Sequence, residues 1–320
     1  MNKFLIFKFL MAMLIFAFAG CKIDKPDQNE RIPVNLTADI KSASTLKVAN
    51  DQWESNDKVG LFMKKAGQAI TADGAVYGTA ANAPMSISGQ SLVAATPVMY
   101  PASGNVDFVA YYPYTETVGD DYTIVVNVTD QSEKLPVETL YSNKATNQKP
   151  TQAPVMLNFQ YSLAKLEVTV KGGVNSALTA ADFSAMTASI EGLYTQANLK
   201  LADGTFADKQ AKETITLLKT GSTDGAATFE ALVFPASADD GEITFLFKAG
   251  DKTYPYRQTT NYSSGNLYDL HFTIDFNATV TMMNASITPR TKITENYVIN
   301  ARTEKFDDIQ LKELIDSNTL

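Results

Sequence analysis

This sequence of 320 residues has few of the side chains on which most enzymes depend. It has one cysteine, one histidine and one tryptophan. A lone cysteine excludes an internal disulfide framework, and the absence of CxxC and HExxH motifs argues against zinc. No Gly-rich phosphate loop and no Gly-x-Ser-x-Gly elbow is present. His271 lies within an alternating apolar run and is interpreted as a solvent-facing strand histidine. We therefore predict no cofactor, no metal and no enzymatic activity.

The chain is also poor in charge, and its charge has one predominant sign. Charged residues make up 19% of the sequence, and the formal net charge is −8. Nucleic acids and anionic membranes bind clustered Lys and Arg, so an acidic chain argues against both partners. Thr, Ser, Ala, Val, Tyr and Phe are abundant, which is typical of an extracellular all-β protein.

The single cysteine, Cys21, directly follows the longest apolar run. Lys3 and Lys8 precede twelve apolar or small residues at 9–20, too few to span a bilayer core of roughly 30 Å. This pattern resembles the lipobox of bacterial lipoproteins, with Phe18 at a position where Leu is usual. We predict a signal peptide at 1–20, lipidation of Cys21 and a lipidated tether at 21–31. The alternative is an ordinary signal peptide followed by an unpaired cysteine.

Short apolar runs of period two recur from Ile32 onward between Gly, Asp and Pro turns. Such runs predict β-strands. The first covers Pro33–Ile40, with Val34, Leu36 and Ala38 predicted to face inward. A polar seam at 143–154 divides the chain into an N-terminal β-sandwich domain at 32–150 and a C-terminal one at 151–320. No sustained helical periodicity precedes Glu304, and a short amphipathic helix is predicted at 306–315.

Two groups of side chains have alternative interpretations. The pairs Asp120-Asp121 and Asp239-Asp240 could contribute oxygens to a calcium site, but neither has the ligand spacing of a known loop, so turn acids are favoured. A denser aromatic group could bind sugars or peptides or pack in a core, and core packing is favoured. Its members are Tyr100, Phe108, Tyr111, Tyr112 and Tyr114.

Several motifs, taken in order, resemble the fimbrillin family. Trp53 followed by Asp57–Met63 (DKVGLFM) is similar to the family's opening, and Tyr100–Gly104 with Ala110–Tyr114 (AYYPY) is similar to its most specific motif. The later motifs that also match are Val155–Phe159, Ser162–Leu166, Ile190–Thr195, Leu201–Thr205, Leu232–Ala236 and Ser264–Tyr268. The resemblance extends from about Ile32 to about Arg290.

The resemblance implies two tandem transthyretin-like β-sandwich domains in a subunit of a type V pilus, as stalk, tip or anchor. It also implies export to the outer membrane as a lipoprotein, followed by proteolytic removal of the tether and the first strand, Pro33–Ile40. The groove that remains would accept a strand from another subunit. The family's Thr-Arg cleavage motif is replaced by Thr45-Leu46-Lys47, so the candidate processing residues are Arg31 and Lys47.

The residues beyond Arg290 supply a candidate for the donated strand. Thr291–Asn300 carries Ile293, Tyr297 and Ile299 near alternate positions. The expected partners are therefore other pilin subunits, the outer membrane through the lipid anchor, and a host protein or glycan. The alternative function is a surface glycan-binding lipoprotein, which would present its aromatic rings on one exposed face.

Overall fold

The computed structural model describes residues 31–40, 53–54, 56–133 and 138–275, and the backbone of 292–300. The predictions for the signal peptide, Cys21, Lys47 and the helix at 306–315 fall outside these residues. Among the described residues, no helix is both long enough and apolar enough to cross a membrane.

The protein is all-β, as the alternating pattern predicts. The first half of the chain forms β1 Leu36–Ile40, β2 Lys58–Lys65, β3 Ala83–Ser88, β4 Ser91–Ala94, β5 Val106–Tyr112, β6 Thr123–Asn127, β7 Leu140–Ser142 and β8 Val155–Tyr161. The second half forms β9 Ala164–Gly172, α1 Ala180–Ala185, β10 Thr187–Glu191, β11 Gln196–Lys200, β12 Phe206–Gln210, β13 Ile215–Thr216, β14 Leu218–Thr223, β15 Ala226–Val233, β16 Ile243–Ala249, β17 Lys252–Gln258, β18 Leu267–Asp275 and β19 Lys292–Asn300. Short 3-10 turns occur at Gly78–Ala80 and Ala238–Asp240.

Seven strands of the first half close into a barrel in the order β1-β4-β3-β2-β5-β7-β8. The sequence predicts a sandwich here, but β1 pairs with β4 on one side and with β8 on the other, which joins the two ends of the sheet. Strand β8 lies beyond the predicted division at residue 150 and still belongs to the barrel. The change of sheet falls between β8 and β9.

The second half contains two sheets that share one apolar core. Strands β14-β15-β9-β18-β19 form one sheet and β13-β10-β16-β17 form the other. Phe272 of β18 lies 5.0 Å from Phe245 and 4.8 Å from Phe247 of β16, measured between ring centroids. All three side chains are fully buried, so these two sheets form a β-sandwich.

A third sheet, β12-β11-β6, connects the two halves, and we call it the bridging sheet. Its strand β6 comes from the first half and pairs with β11 of the second. Ile124 and Leu199 of this sheet pack against Phe62 and Tyr111 on the outside of the barrel. The Tyr141 hydroxyl donates a hydrogen bond to the Leu201 carbonyl at 2.8 Å. Apolar burial and backbone pairing therefore both tie the barrel to the sandwich.

The sequence pattern does not predict the six-residue helix α1, because six residues are too few to show the helical period of 3.6 residues. Its signal is the N-terminal box, in which the Thr179 hydroxyl accepts from the Asp182 backbone N–H and the Asp182 carboxylate accepts from the Thr179 N–H. At its other end, the Lys219 ammonium donates to the carbonyls of Phe183 and Ser184 at 2.7 and 2.5 Å. Lys219 thus supplies donors to the carbonyls of the last helical turn, of which that of Phe183 also accepts from the Met186 N–H.

Gly60 of the Asp57–Met63 motif is explained by its cross-strand neighbour. Gly60 and Tyr111 are register partners on β2 and β5, and the buried Tyr111 ring lies directly over the glycine. A Cβ at residue 60 would overlap that ring. The Tyr111 hydroxyl donates to Asn82 Oδ1 at 2.7 Å, which holds the ring in place. Burial raises the pKa of Tyr111 to about 12.

We expect Gly60→Ala to lower the free energy of unfolding by about 2–3 kcal/mol, because overpacking a core typically costs 1–3 kcal/mol. Urea denaturation of the full chain, followed by circular dichroism, measures this. Gly78→Ala is the matched control, since a Cβ at residue 78 meets nothing within 4 Å. Equal unfolding midpoints for the two variants would contradict this account of the motif.

Candidate functional site

The strand that closes the barrel is also the strand that the family resemblance marks for removal. Strand β1 runs parallel to β8, with Leu36 opposite Val155 and Ile40 opposite Phe159. On its other side it runs antiparallel to β4, with Leu36 opposite Leu92. The Ala38 N–H donates to the Gln90 carbonyl at 2.8 Å, and Asn35 accepts from the Val155 N–H at 2.9 Å. We call the position between β4 and β8 the β1 slot.

Alternate side chains of β1 fill the barrel interior. Leu36 and Ala38 are 3% and 2% exposed, and Val34 packs against the same core while half-buried. Thr37 and Asp39, on the opposite face, are half-buried. The predicted inward face of the strand is therefore confirmed, and its apolar pattern is what any replacement strand would have to reproduce.

The residues before β1 are also held in place. Pro33 forms a β-bridge with Met99, the Val34 N–H donates to the Val98 carbonyl at 2.8 Å, and Ile32 accepts from the Tyr100 N–H at 2.9 Å. Arg31 is exposed and directly precedes these bonds. A cut after Arg31 would therefore separate the tether and leave β1 attached to the barrel.

The chain leaves β1 and returns to the barrel at the same place. Ile40 is the register partner of Phe159, and the Trp53 ring packs edge-on against Phe159 at 5.2 Å. Residues 41–52, which we call the connector, join these two points. A cut in the connector, which contains Lys47, would break the covalent link between β1 and the rest of the barrel. The contacts of Ile40 and Trp53 with Phe159 would both remain.

Three of the family-like motifs converge at this point. Trp53 packs against Tyr112 at 5.5 Å, and the Tyr112 hydroxyl donates to Asp57 Oδ1 at 2.7 Å. The other Asp57 oxygen accepts from the Glu54 N–H at 2.8 Å. Burial, helped by the hydrogen bond to Asp57, raises the pKa of Tyr112 well above its ordinary value. The cluster fixes where the connector rejoins the barrel. The sequence alone did not indicate this role.

The candidate donor strand belongs to the sandwich and not to the barrel that contains the β1 slot. Strand β19 is an edge strand and runs parallel to β18, with Ile293, Tyr297 and Ile299 as register partners of Tyr268, Phe272 and Ile274. It pairs with one neighbour in the described part of the chain, whereas a strand in the β1 slot has two. The predicted strand is thus present, although Thr291 lies outside the described residues.

The other predicted candidates do not form a site in the described residues. Tyr100, Phe108 and Tyr111 are buried, so the aromatic group provides no exposed platform. Asp240 accepts from the Ser237 N–H at 2.8 Å and pairs with Lys209, and Asp121 accepts from the Thr123 hydroxyl. His271 Nε2 lies 3.1 Å from Asp269 Oδ1 on the outer face of β18. The described residues contain no cluster of potential metal ligands.

One buried ion pair joins β2 and β5 of the barrel, away from the slot. Lys64 Nζ lies 2.6 Å from Asp107 Oδ2, and the two side chains are 13% and 6% exposed. Burial acts to raise the pKa of Asp107, but hydrogen bonds from Lys64, Asn147 and Gly67 outweigh it and hold the pKa below its usual value. The Asp107 carboxylate is thus paired with Lys64 and with the backbone N–H groups of Asn147 and Gly67, so we interpret the ion pair as structural.

Two sequence comparisons find relatives of this chain. A family profile described as Fimbrillin-like matches residues 47–289. A Bacteroides uniformis protein named "Putative fimbrium subunit Fim1C" is 28% identical over 235 residues, which cover 71% of this chain and 74% of that protein.

Solved structures show the same fold at lower identity. The crystal structure of a "putative cell adhesion protein" from Bacteroides uniformis matches with a TM-score of 0.58 and 21% identity, covering 87% of this chain and 99% of that one. The crystal structure of a second "putative cell adhesion protein", from Bacteroides ovatus, matches with a TM-score of 0.56 and 15% identity, covering 87% of this chain and 100% of that one.

Proposed function

Because this chain belongs to the fimbrillin-like family, we propose that it is a non-catalytic structural subunit of a cell-surface fimbrium that assembles by β-strand exchange. The observation that carries the proposal is the position of β1. This one strand closes the barrel. The connector that joins it to the rest of the barrel begins and ends next to Phe159. Strand β1 is therefore integral to the fold and yet separable by a single cut.

The energetics favour exchange only after that cut. Removing β1 would expose the apolar floor beneath Leu36 and Ala38 and would unpair the facing edges of β4 and β8. Exposed apolar surface costs roughly 25 cal/mol per Å², and open strand edges attract other strands. A strand from a neighbouring subunit restores both the burial and the backbone hydrogen bonds. While β1 remains covalently attached, it occupies the slot at high effective concentration.

The proposal extends to anchoring and architecture. Cys21 would carry the lipid that holds the precursor at the outer membrane, and other subunits of the fimbrium would be the partners. The barrel and the sandwich would be the two tandem transthyretin-like units. The alternative of a glycan-binding surface protein gains no support from the described aromatic side chains, since the rings of its proposed platform are largely buried.

We expect the two candidate processing regions to have different outcomes. A site-specific protease recognition sequence of seven residues would replace residues 24–30 in one variant and 45–51 in another. Cutting the first should release a monomer with β1 in place and an unchanged melting temperature. Cutting the second should permit polymerisation, because β1 is then held without a covalent link. Membrane fractionation and denaturant-resistant ladders on gels are the two measurements.

The uncut form of each variant is its own control, and Cys21→Ser tests whether the lipid holds the uncut protein at the membrane. Ladders after a cut at 24–30, or none after a cut at 45–51, would contradict the proposed role of the connector.

A further inference from the structure

Within the part of the chain that the structure describes, one edge strand lacks the usual protection against pairing with another chain. Natural edge strands are typically short or carry charges, prolines or bulges. Five of the six edge strands in the described residues have such features. Strand β13 has only two residues, β12 carries Lys209 and a positive φ at Asp208, and β14 carries Lys219 and a bulge. Strand β17 carries Lys252, Pro255 and Arg257, and β19 carries Lys292 and Glu295. Strand β6 (TIVVN) has none, and its Val125 is 68% exposed.

The backbone of β6 presents hydrogen-bonding groups to this open edge. The Leu201 N–H donates to the Tyr122 carbonyl, and the Val128 N–H donates to the Thr195 carbonyl, both at 2.9 Å. In an antiparallel ladder the groups that face one neighbour alternate along the strand. Even-numbered residues of β6 therefore bond to β11, and the N–H and C=O of Val125 and Asn127 face outward.

A cleft lies beside this edge. It has a volume of about 210 Å³ and lies between β6 and a wall formed by Pro113, Tyr114, Thr115 and Thr139. Ile124, on the buried face of β6, packs in the core between barrel and bridging sheet. The edge is thus rigidly supported and has space next to it for the side chains of an added strand.

The charges at the two ends of β6 indicate which kind of strand fits. Asp120 and Asp121 precede it, Asp130 and Glu133 follow it, and all four are exposed. A second copy pairing antiparallel about Val125 would place Asp120 opposite Asp130, and like charges facing each other oppose pairing. A strand with basic residues at its ends would face acids at both ends.

We propose that the β6 edge is a docking site for an extended segment of another protein, uncharged over about five residues and carrying Lys or Arg at both ends. The segment adds to the bridging sheet as a fourth strand by main-chain hydrogen bonding. This site is separate from the β1 slot and is available while β1 is in place.

The test uses the uncut full chain in detergent and the labelled peptide KKTVTVTKK, followed by fluorescence anisotropy. We expect saturable binding that weakens at least tenfold in Val125→Lys, because a lysine in the middle of an edge strand opposes pairing with another strand. Val93→Lys, at a 52% exposed strand position of β4, is the matched control and should bind as wild type does. Both positions are exposed, so melting temperatures should be unchanged.

Two further peptides separate the contribution of main-chain hydrogen bonds from the contribution of charge. The same core with every amide N-methylated should not bind, because it cannot form the ladder. The peptide EETVTVTEE should bind at least threefold more weakly in about 0.15 M salt, and the difference should shrink near 1 M salt as the Debye length falls to about 3 Å.

The proposal is overturned if KKTVTVTKK fails to bind, if the methylated peptide binds equally, or if Val93→Lys weakens binding as much as Val125→Lys. Equal binding of the acidic peptide overturns the stated charge of the partner. A dimer in sedimentation that Val125→Lys abolishes would identify a second copy as the occupant. None of these outcomes bears on strand exchange at the β1 slot, because β1 is never released.

Discussion

A disulfide between β1 and β8 should abolish polymerisation even after the connector has been cut. Thr37 and Met156 are register partners on these parallel strands, on the face away from the core, and Met156 is 54% exposed. Adjacent strands lie about 4.8 Å apart, within the Cα separation that a disulfide bridges. In the double variant Thr37→Cys/Met156→Cys, carrying the protease site at 45–51, oxidation should lock β1 in its slot.

The expected result is all-or-none and reversible. The oxidised, cut protein should remain monomeric in denaturant-resistant ladders, and adding a reductant should start polymerisation. The physical reason is that an occupied slot offers neither an unpaired edge nor an apolar floor to a neighbour. Each single cysteine variant, cut and oxidised, controls for the substitutions and should polymerise as the unlocked chain does.

Polymerisation of the oxidised double variant at the rate of the single variants would show that β1 need not leave. A lock that reductant does not relieve would indicate that the substitutions themselves damage the slot. A melting curve of the reduced protein, compared with that of the wild type, distinguishes this second case.

The strand alternation predicts β1 well because the strand is half-buried. Leu36 and Ala38 face the core while Thr37 and Asp39 do not, so the period of two is preserved in the sequence. The same holds for β18, where Leu270, Phe272 and Ile274 are fully buried. Local periodicity therefore gives the existence and inward face of these strands.

The pairing partners could not be predicted in this way. Strand β8 follows a polar, proline-containing seam that is typical of a domain boundary, yet it pairs with β1 across more than a hundred residues. Strand β6 has a clear alternation, but nothing local indicates that β11 is its neighbour. Such partners are chosen by long-range apolar burial, which leaves no periodic trace in one sequence.

The role of the cluster around Phe159 was hidden for a related reason. In the sequence, Trp53 and Asp57 belong to one motif, Tyr112 to a second and Phe159 to a third. Only their contacts, Trp53 on Phe159 and Tyr112 on Asp57, show that these motifs meet at the end of β1. The candidate site was therefore partly visible in sequence, as the strand to be lost, while its closure by β4 and β8 was not.

The donated strand should enter the slot in one register, and that register can be tested. The inward series of β1 is Val34, Leu36 and Ala38. In the C-terminal segment, Tyr297, Ile299 and Ala301 offer the same spacing with a small residue last. If Ile299 takes the place of Leu36 in the slot, Glu295 does not fall at the most buried positions, which are those of Leu36 and Ala38. We expect Ile299→Asp to abolish polymerisation of the cut chain, because an unpaired charge is costly in an apolar interior.

Val298→Asp is the matched control, since in this register residue 298 takes the place of the exposed Asn35. Its polymerisation should be reduced little. Equal loss in both variants, or in neither, would contradict the register. Deleting residues 291–320 should have the same effect as Ile299→Asp, and if the deleted chain polymerises as the intact cut chain does, the donor lies elsewhere.

Complementation then separates donor failure from misfolding. The Ile299→Asp chain, once cut, keeps an open β1 slot, whereas the oxidised Thr37→Cys/Met156→Cys chain has a closed slot and an intact donor. Mixed together, they should form a heterodimer and nothing longer, because one partner can only accept a strand and the other can only donate one. Neither alone should exceed a monomer in light scattering. If no dimer forms although both chains melt as the wild type does, the segment that carries Tyr297, Ile299 and Ala301 is not the donated strand.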